Sequence, residues 1–86
     1  MAYEIVIQAS ASKALRNLDR VPRRRVAAAI DALASDPRPH GYKPVVGQPN
    51  AFRIRVGDWR VLYEIEDDKL LILVVKIAHR STVYGR

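Results

Sequence analysis

The sequence predicts an α+β domain in which a helical hairpin packs on one face of a four-stranded, largely antiparallel sheet, in the order β-α-α-β-β-β. Three observations lead there. Apolar residues recur at helical spacing from Ala14 to Ala34 and at strand spacing from Phe52 to Ile65. A proline-rich stretch separates the two regimes. At 86 residues the chain has room for one compact core and no second module.

Tyr3 to Gln8 is short, β-branched and partly alternating, which predicts a first strand. Ser10 or Ser12 is placed to cap a following helix through its hydroxyl. Ala14, Leu15 and Leu18 give that helix an apolar stripe, and Lys13, Arg16 and Asp19 face water. Pro22 suits the first turn of a second helix, where its missing N–H costs nothing. Val26, Ala27, Ile30, Leu33 and Ala34 continue that helix until Asp36-Pro37 stops it, because a residue before proline disfavours helical dihedrals. Pro37 to Asn50 holds four prolines and two glycines and reads as a long loop with a short extended piece around Val45 and Val46.

Three strands follow, at Ala51–Val56, Trp59–Glu66 and Lys69–Ala78, the last two joined by Asp67-Asp68. Leu70 to Val75 is apolar at every position, as in a central strand covered on both faces. Gly57-Asp58 is a two-residue turn that needs positive φ at its glycine. Such a turn fixes register: Val56 faces Trp59, Ile54 faces Val61, Phe52 faces Tyr63, and on the other face Arg55 stands opposite Arg60 and Arg53 opposite Leu62. Like charges facing each other across strands are destabilising. A chain that keeps such a pair offers it to an anion.

Fifteen Lys and Arg against nine Asp and Glu give +6 and favour nucleic acid or an acidic protein as partner. From Pro37 to Val61 five basic residues meet one acid, Asp58. The absence of cysteine excludes disulfides and thiolate metal sites and fits a cytoplasmic protein. No Asp, Glu or His cluster has metal-ligand spacing, so no cofactor is expected. The N-terminus lacks a signal-peptide plan, and the longest apolar run is far too short for a membrane span.

The block from Phe52 to Ile65, with its basic-aliphatic-basic strand and Gly57-Asp58-Trp59-Arg60-Val61-Leu62-Tyr63 hairpin, resembles the RelE/ParE superfamily of bacterial type II toxins. The tail Ala78-His79-Arg80-Ser81-Thr82-Val83-Tyr84 resembles that superfamily's His-Arg-x-x-Val-Tyr ending. The resemblance spans nearly the whole chain and implies the RelE-like toxin fold. Its RelE branch cleaves messenger RNA in the ribosomal A site under control of a cognate antitoxin; its ParE branch inhibits DNA gyrase. Carried over position by position, the RelE-like reading makes Arg60, Arg80 and Tyr84 catalytic and gives Arg53, Arg55, Lys76 and His79 to RNA phosphates. The implied partners are the antitoxin, which covers the basic face, messenger RNA, the ribosome, and operator DNA through the antitoxin complex. The chain departs from the familiar pattern in carrying arginines for lysines on the strand and Val45-Val46 where a basic residue often falls. It also stops two residues after Tyr84, leaving no room for a C-terminal helix.

RNA supplies its own nucleophile, the 2′-OH. An enzyme must deprotonate it, stabilise the charge that builds on phosphorus, and protonate the leaving 5′ oxygen. Tyr84 is the expected base, its phenol made more acidic by nearby guanidinium charge; the plain alternative is an aromatic packed on the sheet. Arg60 and Arg80 would clamp the phosphate. The acid stays open among an arginine, His79 and water, and His79 reads more readily as structural or substrate-adjacent. Trp59 is core, or a base-stacking platform. Arg20 and Arg23-Arg24-Arg25 are either a solvated helix start or a second electrostatic footprint on ribosomal RNA. The face of Lys76 and Arg80 depends on the strand before them. A two-residue Asp67-Asp68 loop puts both opposite Arg55 and Arg60, whereas a three-residue loop or a bulge returns them to the arginine face. A gyrase-binding toxin and a non-catalytic RNA-binding module are the alternatives to the nuclease.

Overall fold

The computed structural model describes residues 2–83, the side chains of 82 and 83 excepted. Its elements are β1 (Glu4–Ile7), α1 (Ala9–Arg16), α2 (Arg20–Ala32), β2 (Lys43–Pro44), β3 (Ala51–Val56), β4 (Trp59–Glu66), a 3-10 turn (Asp67–Lys69), β5 (Leu71–His79) and α3 (Arg80–Val83). The sheet has five strands in the order β1-β5-β4-β3-β2. Both long helices lie on one face, α1 against β5 and α2 against β3 and β4.

The β3–β4 hairpin has the register its turn dictates, including Arg55 opposite Arg60 and Phe52 opposite Tyr63. Gly57 has φ +60°, whereas Asp58 is not in the left-handed region, the pattern of a II′ turn. Val26, Ile30 and Leu33 from the helical layer meet Val61, Tyr63, Ile65, Ile72 and Val74 from the sheet in one buried cluster. Tyr63 is fully buried and donates its hydroxyl to the Pro37 carbonyl at 2.8 Å. Burial pushes that phenol up to about 12.

Several details differ from the sequence-based expectation. There are five strands, because the extended piece of the proline-rich loop lies at Lys43–Pro44 and pairs with Arg53 and Phe52. β1 runs parallel to β5, so the sheet is mixed. α1 starts at Ala9 with Gln8 as its N-cap and no side-chain cap, so neither Ser10 nor Ser12 caps it. α2 ends at Ala32, before Asp36-Pro37 is reached, and looser turns carry the chain on. The last strand begins at Leu71, after Leu70 takes a left-handed conformation with φ 50°. The tail from Arg80 to Val83, to which the sequence assigns no element, forms a four-residue helix, α3, ahead of Tyr84. β5 is an interior strand between β1 and β4, yet helices cover only one face of it. Leu71, Leu73 and Val75 on the other face are half-buried.

Candidate functional site

The face of the sheet away from the helices gathers the cations. Strand pairing sets Lys43, Arg53, Leu62 and Lys76 in one row across β2, β3, β4 and β5. The next row is Arg55, Arg60 and Ala78. Leu62 and Ala78 make an apolar floor among the charges. Neighbouring strands lie roughly 4.8 Å apart, so residues along each row are direct neighbours. Glu64 lies in the row of Ala51 and Leu73, and Glu66 beyond it. The open face therefore has a basic end towards Gly57 and an acidic end towards Asp67.

Lys76 reaches the arginine face through a bulge. The pairing of β4 with β5 shifts between Leu62 and Tyr63, where Tyr63 faces Val74 and Leu62 faces Lys76. Val75 is the extra residue, and an extra residue inverts the alternation beyond it. The turn does not contribute, because Glu66 faces Leu71 across four loop residues and an even number leaves the parity as it was.

The basic end holds a cleft of about 280 Å³ lined by Gly41, Lys43, Arg53, Ile54, Arg55 and Arg60. Arg60 Nη1 is buried there and makes no hydrogen bond. Arg55 is exposed, and its Nε donates to the Gly57 carbonyl at 3.1 Å. Arg53 is half-buried in the cleft wall, and Lys76 is exposed. A larger cavity of about 440 Å³ runs between α2, Pro39–Gly41 and β3, lined mainly by Ala29, Ala32, Leu33, Ile54 and Val56. That cavity is apolar where the smaller cleft converges charge, so the smaller one suits a phosphate.

Sequence reasoning missed Lys43 as a site residue. It enters through β2, a two-residue strand too short to show periodicity. A clasp holds the loop that carries it. Arg38 donates to both carboxylate oxygens of Asp67 at 3.2 and 2.8 Å, and the Tyr3 hydroxyl donates to Asp67 Oδ1 at 2.7 Å. Arg38, then Tyr3, hold the Asp67 carboxyl down to about 2, and the same carboxylate raises the Tyr3 phenol. Arg38 also lies over the Phe52 ring at 5.8 Å, which joins the clasp to β3.

The remaining site candidates are not drawn into the cleft. Arg80 is exposed at the start of α3, with Nε 3.7 Å from Asp58 Oδ1 and its backbone N–H donating to the Asp58 carbonyl at 2.8 Å. His79 lies in the row of Trp59 on the helix side of the sheet, the two rings edge-on at 5.2 Å. Its Nδ1 accepts the Ser81 amide at 3.2 Å and stands 2.9 Å from Ser81 Oγ. Trp59 is half-buried against the core and away from the cleft. Tyr84 lies outside the described residues. Among the described residues no group of His, Asp and Glu is arranged to hold a metal ion, and no helix is long and apolar enough to cross a membrane.

Residues 5–84 match the family model for the ParE toxin of the parDE type II toxin–antitoxin system. The chain is 29% identical over 79 residues to toxin RelG of Mycobacterium tuberculosis, covering 85% of this chain and 88% of that one. It is 26% identical over 87 residues to putative toxin RelE1 of Methanocaldococcus jannaschii, covering 98% and 97%. Among solved structures it is similar to the archaeal RelE–RelB complex of Pyrococcus horikoshii, with a TM-score of 0.82, 28% identity, and coverage of 93% and 97%.

Proposed function

The chain belongs to the ParE toxin family of type II toxin–antitoxin systems and is a toxin of RelE type, and from that premise we propose that it is an endoribonuclease of messenger RNA. The cleavage site is the ribosomal A site, and the 2′-OH is the nucleophile. The observation that carries this reading is the buried, unpartnered Nη1 of Arg60, a residue that lines the cation-lined cleft. A guanidinium donor without an acceptor is a costly thing to keep. A bound phosphate would supply the acceptor through a charge-assisted hydrogen bond.

The 2′ oxygen attacks phosphorus, the bond from phosphorus to the 5′ oxygen breaks, and a 2′,3′-cyclic phosphate results. Arg60 meets the charge that builds on the non-bridging oxygens. Arg53, Arg55, Lys43 and Lys76 hold flanking phosphates and raise the local positive potential. Tyr84 takes the 2′ proton as phenolate, which that potential favours. Arg80 joins when its ion pair with Asp58 opens. Both partners are well exposed, and such pairs contribute little to stability, about 0–1 kcal/mol. His79 faces the other side of the sheet and engages Ser81, so the proton for the 5′ oxygen comes from water or from an arginine N–H. No step uses a metal ion.

A cognate antitoxin is the expected protein partner, covering the basic open face with an acidic or extended segment. The Pyrococcus relative was solved as a RelE–RelB complex. The complex would bind its operator through the antitoxin. A second reading, inhibition of DNA gyrase, is favoured by the ParE description of the matching family model. Inducible expression of wild type and Tyr84→Phe, with primer extension on an abundant messenger RNA, separates them. New 5′ ends within translated codons, lost in Tyr84→Phe, support the nuclease. Arrest without cleavage, equal in the variant, moves the reading to gyrase.

A further inference from the structure

The sheet face away from both long helices carries carboxylates that the cleft does not use. Glu4, Leu71 and Glu66 form its outermost row, with Val6, Leu73, Glu64 and Ala51 in the next. The two basic rows follow. Val6 is 41% exposed, and with half-buried Leu73, Val75 and Leu62 it makes an apolar belt between the charged ends. Glu64 is half-buried and outside the ion pairs of the described residues, which are Arg38–Asp67, Lys69–Glu66 and Arg80–Asp58. A partly desolvated carboxylate outside any ion pair is unfavourable. Arg60 Nη1, at the basic end, is the matching case of a donor without an acceptor.

Two copies of such a face can stack about a two-fold axis lying between them, with the sheets roughly 10 Å apart. Charge selects the direction of the axis. Set along the strands, it would lay basic end on basic end. Set across them, it lays the basic end of one copy on the acidic end of the other. Charge also selects the register. An axis over Leu62 turns the row of Lys43, Arg53 and Lys76 onto its own copy, and one over Glu64 sets Glu64 against itself. An axis over Tyr63 sets Arg60 against Glu66 of the second copy. Leu62 then faces Glu64 of the second copy, whose carboxylate falls between Arg53 and Lys76.

We propose that this face is the interface of a homodimer, a second copy of the chain stacking on it antiparallel about the axis over Tyr63. A purely acidic segment would neutralise the basic rows and be repelled by Glu64 and Glu66. A second copy satisfies both ends and covers the apolar belt as well. Four rows about 6.8 Å apart on five strands about 4.8 Å apart give a face of roughly 600 Å² in plan. That falls short of a standard interface, about 800 Å² per partner, so the dimer is weak and reversible. Arg53, Arg60 and Lys76 lie inside it, and the dimer therefore shuts the cleft. Only that last consequence rests on the reading of the cleft as an RNA site; the assembly does not.

The test is sedimentation equilibrium of the full chain from about 1 to 100 μM, the range in which a small interface dissociates. Wild type should pass from monomer to dimer across that range and return to monomer as salt rises from about 0.05 to 0.5 M. Glu64→Lys with Glu66→Lys makes both ends of the face basic, and Arg60→Glu with Lys76→Glu turns the basic end acidic. Each double variant should be monomeric alone, and an equimolar mixture of the two should form a one-to-one heterodimer. If a charge reversal melts early, Glu64→Gln with Glu66→Gln should still raise the dissociation constant about tenfold or more, since each substitution counts twice about the axis. A wild type that stays monomeric or a dimer indifferent to salt overturns the assignment. So do reversed variants that dimerise alone or fail to pair when mixed. A dimer that obeys these exchanges, in a chain that cuts no messenger, supports the interface and refutes only the nuclease.

Discussion

Replacing Arg60 by Met should make the protein more stable and less toxic at once. Methionine keeps an unbranched stem at a position beside Ala78 and removes the guanidinium. A buried donor without a partner costs roughly 1–3 kcal/mol. Only Nη1 is in that state and the residue as a whole is half-buried, so the low end, about 1 kcal/mol, applies. Arg55 stands directly opposite, and relieving a like-charge cross-strand pair adds about 0.2–1 kcal/mol. The sum, roughly 1–2 kcal/mol, corresponds to a rise in Tm of about 4–16 °C for a domain of this size. Removing one preorganised donor to transition-state charge should lower cleavage by about a hundred- to a thousandfold. Thermal melting by circular dichroism and primer extension read the two effects on the same variant. A melting point below wild type would show that the guanidinium is bound within the fold and would refute the argument. Undiminished cleavage in a stabilised variant would remove Arg60 from the site.

Other substitutions probe the frame around the cleft. Tyr63→Phe should cost about 1 kcal/mol by orphaning the Pro37 carbonyl, measured by urea unfolding. Because burial raises the Tyr63 phenol from an ordinary 10.0 to about 12, its contribution is complete below pH 10 and fades as pH rises towards 12, and Tyr63→Phe should flatten that alkaline loss. Asp67 is depressed to about 2, so its contribution is complete above the ordinary carboxylate range near 4 and fades as pH falls to 2. Urea midpoints between pH 2 and 6 should show that fall in wild type and not in Asp67→Asn. Gly57→Ala should destabilise by about 1 kcal/mol or more, since φ is +60° there and the new Cβ would press on Arg25 at 3.3 Å. An unchanged urea midpoint would contradict that geometry.

The parts of this fold that sequence reveals are those fixed by local chemistry. Gly57-Asp58 determines all six pairs of β3 with β4, so the facing arginines could be placed before any coordinates. Helical spacing found Val26 and Ile30, and the proline signals bracketed the loop. The choice of β5 as a parallel neighbour for β1 depends on residues about 67 positions apart, and nothing within either strand encodes it. β2 was hidden for a different reason: two residues cannot alternate visibly, and Val45-Val46 looks more strand-like than Lys43-Pro44. The clasp of Tyr3, Arg38 and Asp67 likewise joins three segments distant in sequence.

The bulge at Val75 shows how a site residue can be undecidable from local pattern and still be enforced by it. From Leu70 to Val75 every residue is apolar, so alternation carries no information about which side chains face the helices. The information returns after the run, at Lys76 and Ile77. Ile72, Val74 and Ile77 are the strand's members of the core cluster, with a step of two and then of three, while Ala78 is buried on the open face. An unbulged strand would continue from Val74 to Lys76 on the helix side, burying an ammonium beneath α1 and turning Ile77 to water. Both consequences are unfavourable, one through desolvated charge and the other through lost apolar burial. Inserting Val75 as an unpaired residue avoids both at the loss of a regular ladder step. The core pattern therefore forces the irregularity that carries Lys76 to the face of Arg53, Arg55 and Arg60. In this protein the polar site is a consequence of how the apolar layer must pack.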